Sequence, residues 1–71
     1  GWTIANVDTT VIAQAPKLSP YKAAIRDRLA SILEVAPDCV NVKAKTAEGL
    51  GPVGSGASIE AQAVALLVRY A

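Results

Sequence analysis

Chemistry in this chain could come from a few polar residues gathered at the ends of strand-like segments. Thr46 and Glu48 lie at the exit of the segment 40–46, and ligands in open α/β sheets collect where strands end. A second segment leads into Ala13-Gln14-Ala15-Pro16-Lys17-Leu18-Ser19. That stretch can be a plain turn. It also leaves backbone N–H and C=O groups outside any ladder, next to a helix start whose dipole favours anions. If the two segments pair in parallel, their exits lie side by side and form a pocket suited to a phosphorylated ligand. Asp8, inside the segment that leads into Ala13, reads as a strand-edge or interface carboxylate.

Catalysis from these residues alone is poorly provided for. The chain has no histidine, so it lacks the usual general base near neutral pH. Cys39 is the only cysteine and has no evident activating partner, so it reads as an inert thiol and excludes a disulfide framework. One cysteine and no histidine also leave no ligand set for a structural zinc.

Gly49-Leu50-Gly51-Pro52-Val53-Gly54 matches G-x-G-x-x-G letter for letter. A dinucleotide site would need an acidic residue about 20 positions later, where Arg69 and Tyr70 stand instead. A phosphate-binding P-loop would need Lys-Ser/Thr after the last glycine, and Ser55-Gly56 follows. The stretch is expected to be a flexible connection whose backbone can approach a ligand or partner closely.

The elements that position these residues can be read from the spacing of apolar residues. Residues 2–13 alternate as a strand, with Ala5, Val7, Thr9, Val11 and Ala13 on one face and Ile4, Asn6, Asp8, Thr10 and Ile12 on the other. Ser19 and Pro20 suit the N-cap and first position of a helix. Ile25, Leu29, Ile32 and Leu33 then form one stripe before Pro37 ends the helix. Residues 40–46 alternate as a second strand, so the pattern predicts a parallel βαβ unit. Ile59 to Val68 is apolar on all sides, and periodicity alone leaves it open between a helix and a buried strand.

Composition sets the outer limits. The chain has 71 residues, 52% of them hydrophobic and 18% charged. A core this small supplies only roughly 3–5 kcal/mol unaided, so part of the apolar surface is expected to meet another chain or a further piece of this one. A net charge of +1 without a basic stripe argues against nucleic acid. The run from Ala61 to Val68 is too short for a membrane helix, which needs about 20 residues. The absence of methionine and the start at Gly1-Trp2 suggest a truncated frame.

Three blocks in order, Asn6-Val7-Asp8-x-Thr10-x-Ile12-Ala13-Gln14-Ala15-Pro16-Lys17, Val40-Asn41-Val42-Lys43-Ala44-x-Thr46-x-Glu48-x-Leu50-Gly51 and Ala63-Val64-Ala65-Leu66-Leu67, resemble the second half of the methylerythritol cyclodiphosphate synthases. The resemblance runs nearly end to end. It implies that residues 1–71 are an α/β (α+β) half-domain of βαββ order, a trimer-forming mixed sheet with a helix packed on one face, and that Ile59 to Val68 is a strand. It implies a lyase of non-mevalonate isoprenoid synthesis that cyclises a diphosphocytidyl-methylerythritol phosphate and releases cytidine monophosphate (CMP). Ala13, Pro16, Lys17, Leu18, Ser19, Ala44, Lys45 and Thr46 would bind the cytidine nucleotide. Thr46 would also stabilise the transition state, and Glu48 would ligate magnesium. Zinc would enter only with an N-terminal half that this chain lacks.

The resemblance also implies homotrimeric self-association, a companion N-terminal half, and a cytoplasmic or plastid setting. Four positions depart from the family pattern: Pro52 stands for an aromatic, Ser55 for an arginine, Gln62 for a glutamate and Lys45 for a threonine. Pro52 and Ser55 put anion binding in that loop in doubt. Two further readings compete with that of an enzyme half. One is a stand-alone nucleotide-binding or oligomerisation module without catalysis, and the other is a relic held together by self-association.

Overall fold

The structure is a computed structural model that describes residues 1–70. The long first strand β1 (Trp2–Ile12) carries β-branched residues at Thr3, Ile4, Val7, Thr9, Thr10, Val11 and Ile12, which suit a pleated surface. After a loop and a 3-10 turn at Ser19–Tyr21, helix α1 (Lys22–Leu33) crosses over to β2 (Val40–Lys45). A second 3-10 turn, Pro37–Cys39, leads directly into β2. The short helix α2 (Gly51–Gly54) precedes β3 (Glu60–Arg69).

The sheet order is β2-β1-β3, with β1 parallel to β2 and antiparallel to β3. It is the mixed sheet expected, and the ambiguous apolar run proves to be a strand. β-sheet pairing outweighs the helix propensity of its alanines and leucines. The β1–β2 register runs from Val7 opposite Val40 to Ile12 opposite Lys45. A bulge between Ile4 and Asn6 interrupts the β1–β3 ladder, so the expected alternation of faces breaks at Ala5.

Directly opposed residues share a face. Val7, Thr9 and Val11 therefore lie with Val40, Val42 and Ala44 under α1, and Asp8, Thr10, Asn41 and Lys43 line the other face. The core is small: Val7, Ala13, Ala30, Val40 and Val42 are buried, with Ile25, Leu29 and Val35 packed against this cluster.

The helix differs from expectation at both ends. Ser19 is not its N-cap. The chain first takes a 3-10 turn closed by the Tyr21 N–H on the Leu18 carbonyl at 2.8 Å, and Tyr21 precedes the first α-helical residue. At the other end Glu34 takes a left-handed conformation (φ 58°), and the Val35 N–H bonds back to the Ala30 carbonyl at 3.0 Å. The helix thus ends at Leu33, four residues before Pro37. Ile32 was expected on the packed stripe but is exposed, because α1 covers β2 and part of β1 and leaves β3 bare.

Every residue of β3 is exposed on this chain, with Val64 at 72% and Leu66 at 55%. An apolar groove of about 310 Å³ opens between Ile25 and Leu29 of α1 and Ala61 and Ala63 of β3. The radius of gyration is 14.2 Å, against about 11 Å for a compact chain of this length. Among the described residues no helix is long and apolar enough to cross a membrane.

Candidate functional site at the paired strand ends

The parallel register brings the two exits together. One residue past the last paired position, the Ala13 N–H donates to the Lys45 carbonyl at 3.0 Å. A cavity of about 100 Å³ lies there, lined by Ala13, Lys17, Leu18, Ser19, Ala44, Lys45 and Thr46. These are seven of the eight residues singled out for nucleotide binding. Pro16, the eighth, is exposed in the same loop and outside that lining. Lys17 and Thr46, contributed by different strands' exits, face one cavity.

Lys45 and Thr46 also line a larger, open cleft of about 560 Å³, with Ile12, Ala47, Glu48, Leu50 and Glu60 among its walls. They therefore stand between the small cavity and the wide cleft. Glu48 belongs to the wide cleft and not to the small cavity.

The turn after β2 is firmly built. The Glu48 N–H donates to Thr46 Oγ1 at 3.2 Å, the Gly49 N–H to Gln14 Oε1 at 3.0 Å and the Leu50 N–H to the Ala47 carbonyl at 3.0 Å. Since Thr46 Oγ1 already accepts a bond, its own hydrogen is left to donate outward. A hydroxyl held in this way can donate to an anionic oxygen in either space. The Glu48 and Leu50 N–H groups are committed inside the turn and the Gly49 N–H to Gln14, so the three cannot form a phosphate-binding nest.

The glycine pattern has a local explanation. Gly49 and Gly51 have φ of +76° and +65°, conformations that suit glycine. Gly54 has no room for a side chain, because a Cβ there would fall 2.2 Å from the Gly49 carbonyl carbon. α2 then carries the chain onward, with the Ser55 N–H bonded to the Gly51 carbonyl at 3.0 Å. The expected flexible connection is a turn and a short helix packed on each other.

Two residues of this arrangement escaped the sequence reading. Gln14 was passed over as part of a turn, although it is a lone amide between alanines. Gly54 was weighed only as a member of a dinucleotide pattern. Asp8 lies away from the exits: Lys43 Nζ donates to its Oδ2 at 2.9 Å and Asn41 Nδ2 to its Oδ1 at 2.8 Å. The Lys43 bond, followed by that from Asn41, holds the Asp8 carboxyl below the ordinary carboxylate value. Cys39 is half-buried and unpaired among the described residues.

Known proteins resemble this chain over nearly its whole length. A 2-C-methyl-D-erythritol 2,4-cyclodiphosphate synthase from Methylococcus capsulatus is 58% identical over 69 residues, covering 97% of this chain and 44% of the relative. One from Paraburkholderia phymatum is 61% identical over 69 residues, with 97% and 43% covered. The crystal structure of the Plasmodium vivax enzyme of that name superposes with a TM-score of 0.93 at 46% identity, covering 99% of this chain and 47% of that one. The Plasmodium falciparum IspF protein, solved as a CDP complex, gives 0.85 at 38% identity, with 93% and 42% covered. The chain spans less than half the length of each of these relatives. Residues 1–68 match the YgbB family, and the chain belongs to that family, which its relatives represent under the name of 2-C-methyl-D-erythritol 2,4-cyclodiphosphate synthase.

Proposed function

We propose that this chain supplies the cytidine- and phosphate-binding side of a cyclodiphosphate synthase site. The observation that carries this reading is the cavity walled by Ala13, Lys17, Leu18, Ser19, Ala44, Lys45 and Thr46 where two parallel strands end. Backbone groups of the Ala13–Leu18 loop hold the base, and Lys17 and Lys45 offer positive charge to the phosphates. The reaction joins a phosphate of the substrate to its diphosphate group and expels CMP. The bond that forms runs from the substrate's phosphate oxygen to the outer phosphorus of the diphosphate. The bond that breaks runs from that phosphorus to the bridging oxygen leaving with CMP, and Thr46 donates its hydroxyl hydrogen to the oxygen that gains charge.

Magnesium fits Glu48, since this ion takes one or two carboxylates and completes its shell with phosphates and water. When bound it would neutralise phosphate charge. Zinc does not fit. Among the described residues no three His, Cys, Asp or Glu side chains cluster, and a zinc site needs at least three protein ligands. Turnover therefore requires the part of the relatives' fold that this chain does not span.

A second reading is a non-catalytic nucleotide-binding or oligomerisation module. The bare faces of β3 favour it, because a long apolar edge strand is a pairing and packing surface. Calorimetry with CMP separates nucleotide binding, which both readings allow, from assembly alone. Heat at millimolar ligand is expected for a nucleotide site. Silence at that concentration would leave assembly alone.

A further inference from the structure

Only one hydrogen bond among the described residues joins the loop after β1 to the turn after β2: the Gly49 N–H donates to Gln14 Oε1 at 3.0 Å, across 35 positions of sequence. A backbone N–H can only donate, so the amide atom facing it is the oxygen. We propose that Gln14 is a positioning residue that holds Thr46 and Glu48 in place beside the nucleotide cavity, a role that rests on the nucleotide reading above.

The turn it holds would not keep its shape for free. Glu48 has φ of 53°, a left-handed conformation that is strained for a residue bearing a side chain. Such residues persist where their surroundings fix them. The bonds from the Glu48 N–H to Thr46 and from the Leu50 N–H to Ala47 are internal to the turn and would move with it. Gln14 anchors the turn from outside. It is half-buried next to Ala13, which is itself buried, lines the cavity and is tied to Lys45. The bare Cα of Gly54 leaves Gly49 the space it occupies. Through Gln14, the loop holding the base and the turn bearing Thr46 and Glu48 become one unit.

Gln14→Ala and Gln14→Glu test this in the 71-residue chain, by amide hydrogen exchange and by calorimetry with CMP. In Gln14→Ala the Gly49 amide should exchange about 2- to 10-fold faster, the range expected from losing one net hydrogen bond. Nucleotide affinity should fall by a similar factor, while protection of the Val7 and Val42 amides stays as it was. Gln14→Glu keeps an acceptor and should restore slow exchange at Gly49. Unchanged Gly49 exchange in Gln14→Ala would overturn the tether, and a freed Gly49 with unchanged nucleotide affinity would overturn its role at the site. If the native chain takes up no CMP, the nucleotide reading fails, while the exchange measurement still decides the tether.

Discussion

The Ala13 amide and the Lys45 carbonyl meet at 3.0 Å, one step past the last registered pair of a parallel ladder. That bond ends the sheet and begins the site. Residues 32 positions apart in sequence become neighbours because β1 and β2 run the same way and stop together. A slip of one residue would turn every side chain of one strand to the opposite face. It would also remove Thr46 from the cavity that Lys17 lines.

Thr46→Ala is expected to weaken CMP binding about 10-fold, the loss of one hydrogen bond to a charged oxygen. Thr46→Ser keeps the hydroxyl and should bind within a factor of about 3. Calorimetry on both variants provides the check. Equal affinity in Thr46→Ala and the native chain would remove Thr46 from the site.

Gly54→Ala should be more damaging than Gly56→Ala. At Gly56 nothing lies within 4 Å of an added Cβ, so that change costs only the strain of φ at +82°, about 1 kcal/mol. At Gly54 the Cβ would fall 2.2 Å from backbone, which no side-chain motion relieves. Forcing α2 and the turn apart is expected to cost about 1–3 kcal/mol and to loosen Gly49. Denaturant unfolding of the two variants compares them, and equal stability would contradict the packing.

Asp8 supplies a dependence on pH. Its carboxyl titrates below the usual 3.8 because Lys43, and after it Asn41, donate to the ionised form. A depressed folded-state value means that the stabilisation is fully present above 3.8 and is lost as pH falls through the lower folded value. The native chain should therefore be more stable than Asp8→Asn near neutral pH, and the difference should shrink in acid below 3.8. Thermal unfolding of both from neutral to acid pH measures it. A gap that stays constant down to the lowest pH would show that the two bonds do not act on the carboxylate.

The parallel pair was legible because alternation in Val40, Val42 and Ala44 and a stripe in α1 both carry a clear period, and β1 carries one past its bulge. The cavity was legible because Ala13–Ser19 and Lys45–Thr46 sit immediately beyond those periods. β3 was not legible from pattern, since a strand apolar on both faces has no alternation to read. Gln14 and Gly54 were not legible either, because their roles exist only after two distant segments meet. Ile32 misled: its spacing matched the stripe, but periodicity says which face a residue takes and not how far the sheet extends beneath it.

The strongest expectation about assembly concerns β3. Val64 and Leu66 lie opposite Asp8 and Asn6, on the face that α1 does not cover, and both are largely exposed. Water against that face is costly at about 25 cal/mol per Å² of apolar surface, so a soluble form should bury it against copies of the chain. Sedimentation of the native chain should show self-association, with a trimer as the expected closed form. Leu66→Asp places a charge in the middle of this bare face, where self-association would bury it unpaired. It is expected to shift the chain to its 7.3 kDa monomer. A native chain that sediments as a monomer at every concentration would remove self-association as the cover for this strand. The bare faces of β3 would then have to be covered by a segment of different sequence.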